Sequence, residues 1–122
     1  MAKTIMIIDD STSLRQVVSI ALGEAGYGVL EACDGQDALA KLKGQKVHLM
    51  ICDVNMPNMD GITFLKTVRT LPEYKFTPII MLTTEAGEDK KKEGQAAGAR
   101  AWVVKPFKPD QLLGAVAKLV LA

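Results

Sequence analysis

Apolar residues along this chain fall into two alternating patterns, short unbroken runs and stripes at helical spacing. The runs are Thr4–Ile8, Val47–Asp53, Ile79–Leu82 and Ala99–Val104. A fifth, Tyr27–Cys33, is interrupted by Gly28 and Glu31. Runs of this length, bounded by turn formers, predict strands buried on both faces, and the interrupted one predicts an edge strand. Between them, Leu14, Val17, Val18, Ala21, Leu22 and Ala25 form one stripe, so a helix faces a core there and stops at Gly26. Ser11, Thr12 and Ser13 offer its N-cap hydroxyls. Asp34-Gly35 reads as a turn, and Gln36–Lys43 as a short helix ended by Gly44. Ile62–Thr70 predicts a helix using Phe64, Leu65 and Val68, with Pro72 closing it. Glu88–Gly98 is polar, with alanines as its apolar face and two glycines that lower helix propensity. Its Lys90-Lys91-Lys92 run reads as a solvated helix face. A last helix starts near Pro109 and buries Leu112, Leu113, Val116, Leu119 and Val120.

Strand and helix alternate five times with short connections. This predicts one α/β domain over residues 1–122, a parallel sheet with helices on both faces and right-handed crossovers. Ligands of such sheets bind outside the carboxyl ends of the strands. Here those ends carry Asp9 and Asp10, Asp53, Thr83 and Lys105. Four of five strand ends thus hold groups capable of chemistry, and the edge strand ends on Cys33-Asp34.

Composition changes this picture little. The net charge of +1 gives no global attraction to nucleic acid or to an anionic membrane. No stretch approaches the roughly 20 apolar residues of a membrane span. Ile5–Ile8 is too short for a signal peptide and abuts Asp9 and Asp10, so reducing, cytoplasmic conditions are expected. Cys33 and Cys52 fit no metal spacing and are expected to be small buried hydrophobes. His48 lies within a predicted strand and reads as a packed residue rather than a ligand or phospho-acceptor.

The convergent carboxylates carry the chemistry. Taken singly, paired aspartates after a strand are turn and cap residues, and a strand-end Thr or a Lys before Pro is commonly structural. Their joint placement at one sheet edge argues otherwise. Three carboxylates at one mouth repel unless a proton or cation intervenes. All-oxygen ligation without His or Cys selects a hard cation, and sparse ligation with room for water favours Mg²⁺ over Ca²⁺. No EF-hand spacing is present. A carboxylate nucleophile (Asp53) beside a metal, an ammonium (Lys105) and a hydroxyl (Thr83) is equipped for phosphoryl transfer, with an aspartyl phosphate as product.

The segments I-I-D-D-S, I-C-D-V-N-M-P-N-M-D-G, M-L-T-T-E-A and V-V-K-P-F resemble those of two-component response regulator receiver domains, in their stand-alone chemotaxis type. The resemblance spans essentially all 122 residues. It implies a flavodoxin-like (βα)5 fold with strand order 2-1-3-4-5. It implies Asp53 as phospho-acceptor, Asp10 and Asp53 as carboxylate ligands of Mg²⁺, Asp9 assisting through water, and the backbone carbonyl of Asn55 as a further ligand. Thr83 and Lys105 would contact the phosphoryl group, and Lys105-Pro106 would be a cis peptide. Asn55 and Glu85 stand where the family tunes hydrolysis. One residue departs from the pattern. Trp102 occupies the position of the family's rotating Tyr or Phe. Two readings stay open for it: the indole swings toward Thr83 on phosphorylation, or it stays outside as a fixed contact surface.

The resemblance further implies a histidine kinase as phosphate donor, a flagellar motor switch protein as target, a phosphatase as a further partner, and a monomer without membrane or nucleic-acid contacts. With nothing after Ala122, output is expected through protein binding. The domain would catalyse only its own phosphorylation and dephosphorylation. The alternatives are a single-domain receiver serving a relay or phosphate sink without a motor partner, an aspartate-nucleophile phosphatase of the haloacid dehalogenase type, and a flavin-binding flavodoxin. Asp53-Val54-Asn55 lacks the second aspartate of the phosphatase, and a carboxylate-lined mouth suits flavin phosphate poorly without a metal.

Overall fold

A computed structural model describes residues 3–54, 56, 58–83 and 88–120, with residues 88–91 described in their helical backbone alone. The elements are β1 (Thr4–Ile8), α1 (Thr12–Glu24), β2 (Gly28–Ala32), α2 (Gly35–Leu42), β3 (Leu49–Asp53), α3 (Gly61–Val68), a 3₁₀ turn (Pro72–Tyr74), β4 (Ile79–Thr83), α4 (Glu88–Ala96), β5 (Ala101–Val104) and α5 (Pro109–Leu119). All strand pairs are parallel, in the order β2-β1-β3-β4-β5.

The unbroken apolar runs are explained by a sheet covered on both sides. Ile5, Ile7, Leu49, Ile51, Ile80 and Leu82 point to one face, where α1 (Val18, Leu22) and α5 (Leu112, Val116) close the core. Met6, Ile8, Met50, Cys52, Ile79 and Met81 point to the other, under α2 (Ala38, Leu42) and α3 (Phe64, Leu65, Val68). Phe64 is fully buried there, and truncating a buried Phe to Ala costs about 3–5 kcal/mol.

Side-chain caps fix three of the strand-to-helix joins at the carboxyl edge. Ser11 Oγ accepts from Leu14 N at 3.2 Å, Asp34 Oδ1 from Asp37 N at 2.8 Å, and Asp60 Oδ1 from Thr63 N at 2.7 Å. Asp34 and Gly35 are therefore not a free turn, as predicted, but the cap and first residue of α2. Asp34 also accepts from the Asn58 amide at 2.8 Å. Asn58 sits in the left-handed region at φ 66°, a conformation Asn tolerates better than most side chains. This bond ties the loop that follows Asp53 to the start of α2.

Three further expectations are corrected. Val17 is 52 % exposed, beside Ile20 at 62 %, because the buried face of α1 runs through Val18 and Leu22. Cys33 is exposed just past the edge strand, whereas Cys52 is buried in β3. His48 precedes β3 rather than lying within it. Its Nδ1 accepts from Thr4 N at 3.0 Å while its own N–H donates to Thr4 O at 2.8 Å, a clamp between the starts of β1 and β3. Gly26 and Gly44 end α1 and α2 as expected, at φ 94° and 74°.

The α2 junction makes stability depend on acid pH. The Asp37 backbone N–H and the Asn58 amide hold Asp34 below the ordinary carboxylate value of 3.8. The Cys33 N–H, with Lys41, does the same for Asp37. Groups lowered on folding stabilise above their unfolded value, and that contribution is lost as pH falls through the lowered one. Asp34→Asn keeps the cap acceptor but removes its titration. Urea denaturation should therefore show a shallower loss of stability below pH 3.8 in this variant than in the parent chain.

A carboxylate cluster with one lysine at the sheet's carboxyl edge

Asp9, Asp53, Thr83 and Lys105 arrive at one place because parallel strands end at one edge. Asp9 and Asp53 follow β1 and end β3, which are neighbours, and Thr83 ends β4 beside β3. Asp9, Asp53 and Thr83 are buried, at 0 %, 5 % and 1 % exposure. Asp10 is exposed. One carboxylate oxygen from each of Asp9, Asp10 and Asp53 lies within 4.8 Å of the others.

Lys105 reaches this cluster from beyond β5. Its Nζ lies 2.9 Å from Asp9 Oδ2 and 3.4 Å from Asp53 Oδ2. Its backbone N–H donates to Thr83 O at 2.7 Å, which extends the β4–β5 ladder to the site. The Lys105-Pro106 peptide is cis. Partial burial pulls the lysine down, but its hydrogen bond to Asp9 and the charges of Asp53 and Asp9 outweigh that and hold the ammonium above its ordinary value. Asp9 is held further by Ser11 N, which donates to Oδ1 at 2.8 Å, and Arg15, which donates to its backbone carbonyl at 2.5 Å. Burial and the neighbouring carboxylates of Asp53, Asp9 and Asp60 push the Cys52 thiol far up, so it stays neutral and packs as a hydrophobe.

Among the described residues, three carboxylates against one ammonium leave the mouth anionic. The donor atoms are all oxygens, and one carboxylate is open to solvent. That set fits a hard divalent cation retaining water ligands. Asn55 and Glu85 lie outside the described residues. A groove of about 730 Å³ opens at the opposite end of the sheet around Lys43, Lys46, His48 and Tyr74. Its lining brings no comparable group of acids together.

Gly61 and Arg15 had no predicted role. Gly61 opens α3 and donates to Val54 O at 2.9 Å. A Cβ there would overlap the carbonyl oxygen of Asp53 and lie 2.9 Å from its carbon. The Asp60-Gly61 pair was the available signal, a cap followed by a residue that lets backbone approach backbone. Arg15 offers no such signal. It lies one helical turn past Ser11 and becomes meaningful only when α1 turns its guanidinium toward Asp9.

Residues 5–117 match the response regulator receiver domain family. Chemotaxis protein CheY1 of Helicobacter pylori is 38% identical over 110 residues, covering 88% of this chain and 89% of that protein. Protein PilG of Pseudomonas aeruginosa is 35% identical over 112 residues, covering 92% and 83%. Among solved structures, chemotaxis protein CheY4 of Vibrio cholerae superposes with a TM-score of 0.94 at 48% identity, covering 98% of this chain and 100% of that one.

Gly61→Ala should destabilise the chain by about 1–3 kcal/mol through overpacking, although alanine is the better helix former by about 1 kcal/mol. A urea midpoint that rises instead would show that the Asp53 loop tolerates the methyl group.

Proposed function

The chain belongs to the response regulator receiver domain family, and on that premise we propose that it is a phosphorylation-driven switch whose acceptor is Asp53. The observation that carries this reading is the ammonium of Lys105 set between two buried carboxylates. Asp53 Oδ attacks phosphorus, the bond between phosphorus and the donor's histidine nitrogen breaks, and the phosphoryl group moves to the carboxylate. Lys105 Nζ and the Thr83 hydroxyl are the protein donors to the phosphoryl oxygens. Asp9, Asp10 and Asp53, with the Asn55 carbonyl, are the residues to hold Mg²⁺, which supplies charge neutralisation for the incoming phosphoryl oxygens. Self-dephosphorylation reverses the charge change, when water attacks phosphorus and inorganic phosphate leaves. Asn55 and Glu85 tune that step, on the strength of the resemblance alone. The chain acts on itself and is not a turnover enzyme.

The donor is a histidine kinase. An apolar groove of about 400 Å³ beside Lys105, lined by Leu14, Val17, Phe107 and Pro109 among others, lets a donor protein seat itself next to the mouth. The exposure of Val17 and Ile20 extends that surface along α1. Output passes through protein binding. Relatives named as chemotaxis proteins support the flagellar motor switch as target and a cytoplasmic site of action. No helix among the described residues is long and apolar enough to cross a membrane. Phosphorylation acts as a population shift, with Thr83 drawn toward the phosphoryl group and Trp102 repositioned beside α4.

Asp53→Asn should abolish labelling by acetyl phosphate while the fold persists, and EDTA should abolish labelling of the parent chain. Labelling retained in either case would remove Asp53 or the metal from the scheme. Val17→Glu should slow transfer from a cognate kinase by about five- to tenfold, as for an interface contact worth more than 1 kcal/mol, while acetyl phosphate labelling is unchanged. Pull-down with a motor switch protein distinguishes the motor reading from a relay or phosphate sink. Binding that ignores phosphorylation state counts against the motor.

A further inference from the structure

Helix α4 meets the indole of Trp102 at a glycine. Of residues 92–96, Gly94 alone is buried, and Lys92, Glu93, Gln95 and Ala96 are all exposed. The space where its side chain would stand is occupied by Trp102. A Cβ on Gly94 would lie 2.6 Å from Trp102 Cζ3, 3.3 Å from Cε3 and 3.4 Å from Ile62 Cδ1. The first of these distances is impossible without movement. The indole is partly buried and packs against the core shared by α2 and α3.

The environment of the indole is incomplete on its polar side. Trp102 Nε1 is buried and finds no hydrogen-bond partner among the described residues. A buried donor without an acceptor is costly, and a solvated position would relieve it. Packing into the Gly94 notch therefore opposes a polar group that favours water.

The helix is less free to move than the indole. At the C-terminal end of α4, Arg69 donates to Gly98 O at 2.9 Å while also holding Tyr74 O and Thr77 O. Glu93 meets Lys66 of α3 at 3.1 Å. A methyl group introduced at position 94 would therefore displace the ring before it displaced the backbone.

We propose that Gly94 is the positioning residue for Trp102, a notch matched to an indole that sets how far the ring lies beneath α4. In functional terms this rests on the receiver reading, since the ring lies on β5 one strand from Thr83, and its position alters the surface of α4 and β5. The coupling between the two residues belongs to the unphosphorylated chain and can be measured there.

The test is a double-mutant cycle read by stability and by fluorescence. Trp102 is the sole tryptophan, so its emission reports its own position. Gly94→Ala should shift emission to the red, raise quenching by acrylamide and lower the urea midpoint. In a Trp102→Phe background the same substitution should raise the midpoint, because alanine is favoured over glycine within a helix once the obstruction is gone. If Gly94→Ala alone does not fold, recovery of folding in Gly94→Ala/Trp102→Phe supports the notch. Unchanged emission, a raised midpoint with Trp102 in place, or failure of the double variant to recover would overturn it. Acetyl phosphate labelling of Asp53 in the parent chain is the separate check. Its absence would remove the receiver reading and leave the measured coupling between Gly94 and Trp102 intact.

Discussion

One ammonium among buried carboxylates sets the terms for everything at the carboxyl edge. Asp9 is inaccessible to solvent and Asp53 nearly so, and Lys105 bridges them from a position 96 residues along the chain from Asp9. Buried ion pairs of this kind are weak sources of stability, because desolvation consumes much of the Coulombic gain. Their presence here is better understood through charge balance. Lys105 lets two carboxylates be buried together, yet leaves the mouth anionic once exposed Asp10 is added. That excess suits a divalent cation, and a cation with Lys105 in turn suits an incoming phosphoryl group. The arrangement is stable enough to persist and unsatisfied enough to bind.

The fold holds this balance in place with little freedom. Strands β1 and β3 are hydrogen-bonded neighbours, so Asp9 and Asp53 project from adjacent ends. The Asp53 carbonyl is pressed against Gly61 at the start of α3. The loop between them is tied through Asn58 to the cap of α2. Asp9 is held through both carboxylate oxygens and its backbone carbonyl, by Lys105, Ser11 and Arg15. Such constraints fix the direction in which the two carboxylates project from the sheet edge.

Much of this was legible in the residues before any coordinates. The runs Thr4–Ile8, Val47–Asp53 and Ile79–Leu82 read as doubly covered strands because, His48 aside, little that is polar interrupts them before their ends. The polar residues at those ends then stood out. The misread positions have a common physical cause, since each depends on a neighbour distant in sequence. Val17 fits the helical stripe of α1, yet it faces the groove below Phe107 rather than the sheet. Cys33 follows an edge strand, where no further strand lies beyond to bury it. Asp34 looked like half of a turn, and only the folded chain shows its carboxylate capping α2 while receiving Asn58.

Gly94 is the sharpest instance, because in sequence it counted against its own helix. A glycine among Glu, Lys and Gln residues weakens α4 by about 1 kcal/mol relative to alanine, and no apolar stripe offsets that loss. The folded chain supplies the reason, since the missing side chain is the room taken by the indole of Trp102. The site at the sheet edge and the seam beneath α4 therefore follow different rules. Around Asp9 and Asp53, two buried carboxylates share the ammonium of Lys105, and Asp9 is held by Ser11 and Arg15 as well. Beneath α4, a polar helix rests on a ring whose own N–H finds no partner among the described residues. The two regions are joined through the sheet, since Thr83 and Trp102 lie on adjacent strands and the Thr83 carbonyl accepts from Lys105 N.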